Sequence, residues 1–396
     1  MFNGDRLKFA RTYRGMSAQE LADRIGVSRQ SINQFENYSI DSDKTSKPSI
    51  ENIENIAQEL KFPVEFFFQK EKENIKIKNT YFRALLSSKK KEKQSQINKA
   101  VLITVIYDIL QEYLEFPDKN IPVIQKEDLS DKDISNVARE LRNLWNIGNK
   151  PIKDIIFLME NNGIVVTSLS TNTEEIDAFT QYIKIENREY MCVVLENEKK
   201  SACRRQFSAA HELGHIILHA NQINMNEMER SEFREIERQA NLFAAELLLP
   251  EEEFKKDLIM PTSLKCYEIL KRKWHVSILA MMMRACNLNI ITQNQFQYLM
   301  KQYTIKNYRK NEPLDDIIEI PEPQTLKRAI EILLTNNVFT PDEFLDELKR
   351  RDWAVDYNEI EELLDLDKGI LKPRYLPKVQ QVKLKLIKGK RSDNDD

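Results

Sequence analysis

Arg204-Arg-Gln-Phe-Ser-Ala-Ala-His-Glu-Leu-Gly-His-Ile-Ile-Leu-His219 carries the strongest structural signal in this chain. Its apolar residues fall at helical spacing, and within it His211-Glu212-Leu213-Gly214-His215 is an H-E-x-x-H sequence. On a helix, residues i and i+4 lie about 40° apart on one face. Two imidazoles so placed can share one metal ion, and Glu212 can reach a water on that ion without ligating it. Zinc suits two neutral imidazoles plus a carboxylate, a set that leaves one position open for water. Such a metal lowers the pKa of the water and polarises a carbonyl, and Glu212 then accepts the proton as general base. The chain has only four histidines, and three of them (His211, His215, His219) fall within nine residues.

The third ligand is expected from the next helical segment, Glu237-Arg-Gln-Ala-Asn-Leu-Phe-Ala-Ala-Glu-Leu-Leu-Leu-Pro250. Glu237 opens an E-x-x-x-N pattern. Asn241, four residues on, shares its face and can orient His211 or Glu237. Glu246 is the competing carboxylate. His219 stands at i+4 from His215 but about 80° round the helix from His211, which suits support of the site better than ligation. His275, after Trp274, reads as a structural histidine.

Outward from this segment the pattern is mixed. Gly163 to Leu169, Phe179 to Ile185 and Tyr190 to Leu195 are β-rich, and Tyr190 to Leu195, just before the H-E-x-x-H helix, is the expected edge strand for an extended substrate. Ser135 to Asn146, Pro151 to Asn161, Glu232 to Leu249 and most of residues 251–312 are helical in pattern. Pro313, Pro321 and Pro323 mark a boundary, after which helices are expected near 324–335, 341–351 and 357–366. The Lys378 to Arg391 tail alternates Lys with apolar residues.

The N-terminal 68 residues read as a compact helical unit. Ser17-Ala-Gln-Glu20 is a capping box opening a helix that Gly26 ends, Ser28 caps the next, and Pro48-Ser49 begins a fourth. Between this unit and the rest, Glu71 to Ala100 holds nine Lys/Arg against three Asp/Glu, densest at Lys89 to Lys93. A linker entering a helix from Ile97 to Glu115 is expected there. The fold class that follows is α+β and mostly helical. The expected units are a helix-turn-helix domain over 1–69, a basic linker and connecting helix over 70–120, a zincin-like domain with a small mixed sheet over 121–312, and a helical C-terminal region over 313–396.

Composition narrows the functional classes. With 41% hydrophobic and 31% charged residues, wholesale disorder is excluded, and only 8 glycines argue against collagen-like or propeller folds. The net charge of −3 excludes a bulk nucleic-acid binder. The four widely spaced cysteines form no C-x-x-C, so free thiols are expected rather than a disulfide framework or a Cys-based zinc site. The first sixteen residues lack an apolar core for a secretory leader, and no apolar run spans a bilayer, so a soluble cytoplasmic protein with no membrane partner is expected.

Residues 204–219 and 237–250 together resemble the ImmA/IrrE family of zinc metallopeptidases. Val137-Ala-Arg-Glu-Leu-Arg142, Trp145, Pro151 and Asn161-Asn-Gly-Ile-Val-Val166 extend the likeness upstream; Leu270-Lys-Arg-Lys-Trp-His-Val-Ser277 and Met283-Arg-Ala285 extend it downstream. The resemblance covers about residues 80–320. It implies a gluzincin-like peptidase with Zn²⁺ on His211, His215 and Glu237, Glu212 as catalytic base, and Asn241 and His219 in support. One departure stands out: the family pattern often reads E-x-E-A-N, whereas here Gln239 holds the second acidic position. The N-terminal unit resembles the Cro/repressor-type (XRE) helix-turn-helix, with Ser28 to Asn37 as the recognition helix in the major groove. By that match Arg29, Gln30 and Gln34 would face base edges, and Ser28 and Asn37 would sit near phosphates. The Tyr38 to Lys47 loop is longer than the family's usual one.

These resemblances imply a DNA-associated zinc endopeptidase that cleaves a regulatory protein, such as a repressor encoded beside it, and that is targeted to an operator or regulates its own operon. Residues 1–70 balance ten Lys/Arg against ten Asp/Glu, so operator affinity would draw on homodimerisation or on the basic segment that follows. The competing expectation is a non-proteolytic transcriptional regulator, or an antitoxin or phage-defence component, whose zincin domain binds a partner protein.

Overall fold

A computed structural model of the protein describes residues 1–38, 47–70, 75–82 (backbone alone at 78–82), 90–124, 128–170, 178–196, 201–219 and 229–373. Residues 39–46 of the long loop, Lys89 of the basic run and the whole Lys378 to Arg391 tail lie outside the described residues.

Four helices open the chain: α1 (Gly4–Tyr13), α2 (Ala18–Ile25), α3 (Arg29–Glu36) and α4 (Ile50–Leu60). Local chemistry sets their ends. Ser17 Oγ accepts from the Glu20 amide while the Glu20 carboxylate accepts from the Ser17 amide, closing the capping box of α2. Gly26 ends α2 at φ 71°, a left-handed C-cap that glycine adopts without Cβ strain. Ser28 and Ser49 cap α3 and α4. Leu7, Ala10, Tyr13, Leu21, Ile32, Phe35, Ile53 and Ile56 are buried between the four helices.

The basic stretch then departs from the linker expected of it. It contains β1 (Ile75–Phe82), an edge strand of the sheet. Ile75-Lys-Ile-Lys78 has the period of a strand, masked in the sequence by its charge. After it α5 (Lys90–Leu110) is buried along most of its length. It lacks one clear apolar face because it packs on two sides. Near its start, Ser95 donates to the Tyr13 carbonyl at 2.5 Å and Asn98 to Thr12 Oγ1 at 2.7 Å. Further along it lies against the sheet, where Tyr190 donates to Asp108 at 2.5 Å.

Next come α6 (Asp131–Leu144), α7 (Ile155–Glu160), β2 (Val165–Leu169), β3 (Ala178–Ile185), β4 (Arg188–Glu196), α8 (Ala202–Leu218) and α9 (Arg230–Leu248). The sheet order is β1-β3-β4-β2. The β1–β3 and β3–β4 pairs are antiparallel and the β2–β4 pair is parallel. This corrects one expectation: Tyr190 to Leu195 lies in β4, bonded on both sides, and the edges are β1 and β2. The run Tyr190-Met-Cys-Val-Val-Leu195 is buried throughout, the mark of an inner strand covered on both faces. Alternation divides it cleanly. Tyr190, Cys192 and Val194 join one core with α5, and Met191, Val193 and Leu195 join another with α8.

The second core is completed by α10 (Glu251–Asp257), α11 (Leu264–Trp274), α12 (Ile278–Asn287) and α13 (Gln293–Ile305). The chain then returns to the first core through α14 (Thr325–Thr335), α15 (Pro341–Arg350) and α16 (Tyr357–Leu363). Trp353 meets Phe9 edge-on at 5.3 Å, with the Arg6 guanidinium 4.7 Å over its ring. Glu359 accepts from the Tyr13 hydroxyl and pairs with Arg14, each at 2.7 Å. The helix-turn-helix unit, α5, one sheet face and the C-terminal helices therefore share one core. The fold is α+β, mostly helical, around a small mixed sheet. No described helix is long and apolar enough to cross a membrane.

Candidate metal centre and DNA-reading helix

α8 carries the H-E-x-x-H residues between the sheet and α9. Its N-cap is Ser201, whose hydroxyl accepts from the Arg204 amide. Gly214 faces α9, where a Cβ would sit 3.1 Å from Phe243 and 3.3 Å from the Ala240 backbone. The absent side chain lets α9 approach closely enough to bring Glu237 over the two imidazoles. His211 and His215 are 2% and 1% exposed.

His211 Nε2 and His215 Nε2 are 3.0 Å apart, and the Glu237 carboxylate lies 3.5 Å from the first and 3.2 Å from the second. Together they form a three-ligand group with its donor atoms within 4.8 Å of one another. The hydrogen bonds behind the rings fix their tautomers. Asn241 donates its Nδ2 to the Glu237 carbonyl at 2.8 Å, so its Oδ1, 3.1 Å from His211 Nδ1, accepts a proton from that nitrogen. Gln239 donates its Nε2 to Glu235 at 3.1 Å, so its Oε1 accepts from His219 Nε2 at 3.0 Å. Neutral His219 then offers a bare Nδ1, which accepts from His215 Nδ1 at 3.1 Å. Both ligand rings therefore turn unprotonated Nε2 atoms towards Glu237. Two lone pairs and a carboxylate aimed at one point repel each other until a cation lies between them, and two imidazoles with one carboxylate suit zinc.

Burial pushes His215 down to about 3 and His219 down to about 4, so both rings are neutral at pH 7. Glu246, the competing carboxylate, is engaged elsewhere: both its oxygens accept from buried Arg284, at 2.8 and 2.6 Å. His275 is a left-handed C-cap of α11 whose carbonyl accepts from Gln206, a structural role as expected. All four cysteines are free thiols.

Glu212 is 2% exposed, and one of its oxygens accepts from the Thr180 hydroxyl at 2.7 Å. Thr180 has no sequence signature: it sits mid-strand in β3, and only the packing of α8 on the sheet brings it to Glu212. Gln239 was visible in the sequence as a departure from the family pattern, but its link to His219 was not. A groove of about 1980 Å³ reaches the centre at Glu237 and Asn241 and is bordered by α6, α8, α9, α12 and residues 303–320.

In the N-terminal unit, Ile32 and Phe35 anchor α3 in the core, and Ser28, Arg29, Gln30 and Asn37 are exposed. Gln34 is half-buried on the same helix. Ser28 is committed to capping, accepting from the Ser31 amide at 3.0 Å, and Asn37 Nδ2 donates to the Asn33 carbonyl at 2.7 Å. Gln30 and Gln34, four residues apart, thus share the side of α3 away from its buried anchors, and Arg29 is exposed at the first position of the helix.

Residues 159–285 match the IrrE N-terminal-like domain (peptidase M78), and residues 4–73 match a helix-turn-helix domain. The first match spans the sheet from β2 onward and both helices of the metal centre; the second spans α1 to α4. No curated protein matches the chain significantly.

Proposed function

We propose that this chain, which carries an IrrE N-terminal-like peptidase domain behind a DNA-binding helix-turn-helix domain, is a zinc-dependent endopeptidase that cleaves a regulatory protein while its N-terminal unit holds it on an operator. The observation that carries the reading is the convergence of His211 Nε2, His215 Nε2 and the Glu237 carboxylate, with both ring tautomers set by Asn241 and the His219–Gln239 pair. Zinc bound there would supply a Lewis acid and an activated water. The chain's own residues do the rest. Asn241 and His219 hold the ligand rings in register. Thr180 holds the Glu212 carboxylate beside them. Glu212 takes the proton of the attacking water and returns it to the leaving amine. Residues 1–69 read the operator through Arg29, Gln30 and Gln34, with Ser28 and Asn37 near phosphates. Residues 121–312, with β1 completing their sheet, form the peptidase unit, and the substrate is a repressor or another protein of the same operon. The protein acts in the cytoplasm.

A second reading, a regulator that binds its partner without cleaving it, is favoured by one observation: Glu212 is buried and its carboxylate is already engaged by Thr180. Metal analysis and one variant separate the two. Zinc-replete protein is expected to hold about one zinc per chain, lost in His211→Ala; absence of metal from the wild type would remove the enzyme reading. Glu212→Gln is expected to retain zinc and operator binding and to lose cleavage of the partner protein. Identical behaviour of Glu212→Gln and wild type towards that partner would leave binding as the role.

A further inference from the structure

The groove that reaches Glu237 has two kinds of lining. Phe207 on α8, Leu242 on α9, Leu279 on α12 and Ile318 are half-buried, and Met283 is 50% exposed, giving an apolar wall beside the centre. Phe207 lies one helical turn before His211, and Leu242 follows Asn241 directly, so this wall begins where the ligands end.

Charge is distributed unevenly around that wall. The acidic residues at the groove are mostly neutralised. Glu246 pairs with Arg284, Glu312 and Asp315 with Lys271, Glu251 with Lys255, and Asp131 with Arg238. Arg238 and Arg284 are used up in those pairs, but five other basic residues are not. Lys132, Arg139, Arg234, Arg309 and Lys310 are exposed at the groove and have no ion pair among the described residues. On a chain of net charge −3, cations concentrated at the mouth of one cleft create a local positive field. Unpaired cations around an apolar wall complement a ligand that brings both carboxylates and apolar side chains.

Resting on the peptidase reading above, we infer that the groove selects an extended acidic segment of its protein substrate: an aliphatic or aromatic side chain against the Phe207–Leu242–Leu279 wall, flanked by Asp or Glu side chains that meet Arg139, Arg234 and Arg309. The specificity lies in surface charge and an apolar wall rather than in a closed pocket. Attraction between exposed charges weakens with salt, so the preference is expected to weaken with it.

The test uses the full-length Glu212→Gln protein, zinc-loaded, and fluorescein-labelled peptides of about twelve residues with two central leucines. One peptide carries Asp/Glu flanks, one Lys/Arg flanks and one Ser/Gly flanks. Fluorescence anisotropy is expected to give the acidic peptide at least about tenfold tighter binding than the neutral one at low salt, with the margin shrinking as salt rises. An Arg139→Glu/Arg309→Glu pair is expected to abolish that margin. Lys132→Ser/Lys310→Ser, a milder change on exposed side chains, is expected to reduce it. Equal binding of the three peptides, or a preference for basic flanks, overturns the inference. So does displacement of the acidic peptide by operator-free duplex DNA when that displacement disappears in the charge reversals, because the cations would then belong to DNA. The wild-type enzyme tests the underlying reading separately. An acidic peptide that binds but stays intact defeats the peptidase reading and leaves the groove's preference standing. Cleavage of all three peptides alike supports the peptidase and defeats the preference.

Discussion

At the scale of single residues, the least expected contribution comes from Gln239. The resembling family often places a second Glu there, which raised the question of which acidic residue ligates. The geometry separates the roles: Glu237 faces the two Nε2 atoms, and Gln239 faces His219, which in turn sets His215. Groups behind metal ligands typically influence affinity about 10–100-fold. His219→Phe and Gln239→Leu are therefore each expected to weaken zinc binding by about that factor in competition with a chromophoric chelator, with the helical circular-dichroism signal unchanged. Gln239→Glu retains an acceptor for His219 Nε2 and is expected to stay within a few-fold of wild type. An unchanged zinc affinity in both His219→Phe and Gln239→Leu would reduce the relay to packing. The pairing of His211 with His215 was legible in the sequence because i and i+4 on a helix must share a face, a rule that needs no tertiary information. Thr180 was not legible, since 32 residues and a change of element separate it from Glu212.

At the scale of elements, the same division recurs. The capping serines, Gly26 and the apolar spacing of α2, α3 and α4 are local signals, and the structure places those helices where the sequence expects them. β1 and α5 are defined by what they pair with. A strand rich in Lys is a common way to blunt a sheet edge, yet in sequence it reads as a charge run. An almost wholly buried helix lacks the one-sided pattern by which helices are recognised. β4 departs in the opposite sense: its position before the H-E-x-x-H helix suggests an edge, whereas its two-sided apolar run fits the inner place it takes between β3 and β2. α3, proposed above to read the operator, belongs to the legible group, and that proposal is testable. Arg29→Ala and Gln30→Ala are each expected to cost about 1–3 kcal/mol at one operator position and to relax specificity there. Both side chains are exposed, so thermal stability is expected to stay within about 0.5 kcal/mol of wild type. Electrophoretic mobility shifts with single-base operator variants measure the first effect, and thermal unfolding measures the second. Unchanged operator affinity in both variants would remove α3 from the groove.

At the scale of the whole molecule, the C-terminal helices tie the DNA-reading unit to the sheet. Gln69 donates to the Lys349 carbonyl at 3.1 Å and accepts from the Ala354 amide at 2.9 Å. Glu160, at the end of α7, accepts from the Gln324 and Thr325 amides, which joins the same segment to the half that carries the His211, His215 and Glu237 cluster. Trp353 stands at the centre of the first contact, against Phe9, Phe66 and Arg6. Its truncation is the sharpest probe of this arrangement. Trp353→Ala is expected to cost about 3–5 kcal/mol, the usual loss when a buried aromatic becomes a cavity. The indole nitrogen is buried without a hydrogen-bond partner among the described residues. Its packing, not its polarity, therefore supports the contact, and Trp353→Phe is expected to cost much less than the alanine change. Hydrogen exchange localises the effect. Because α1, α5, α15 and α16 share one core while α11 to α13 lie in the other, Trp353→Ala should lower protection in the first group and spare the second. Uniform loss across both groups would mean that the chain unfolds as one cooperative unit. Loss confined to α15 and α16 would mean that the helix-turn-helix unit stands without them, and that the C-terminal helices fasten it in place without stabilising it.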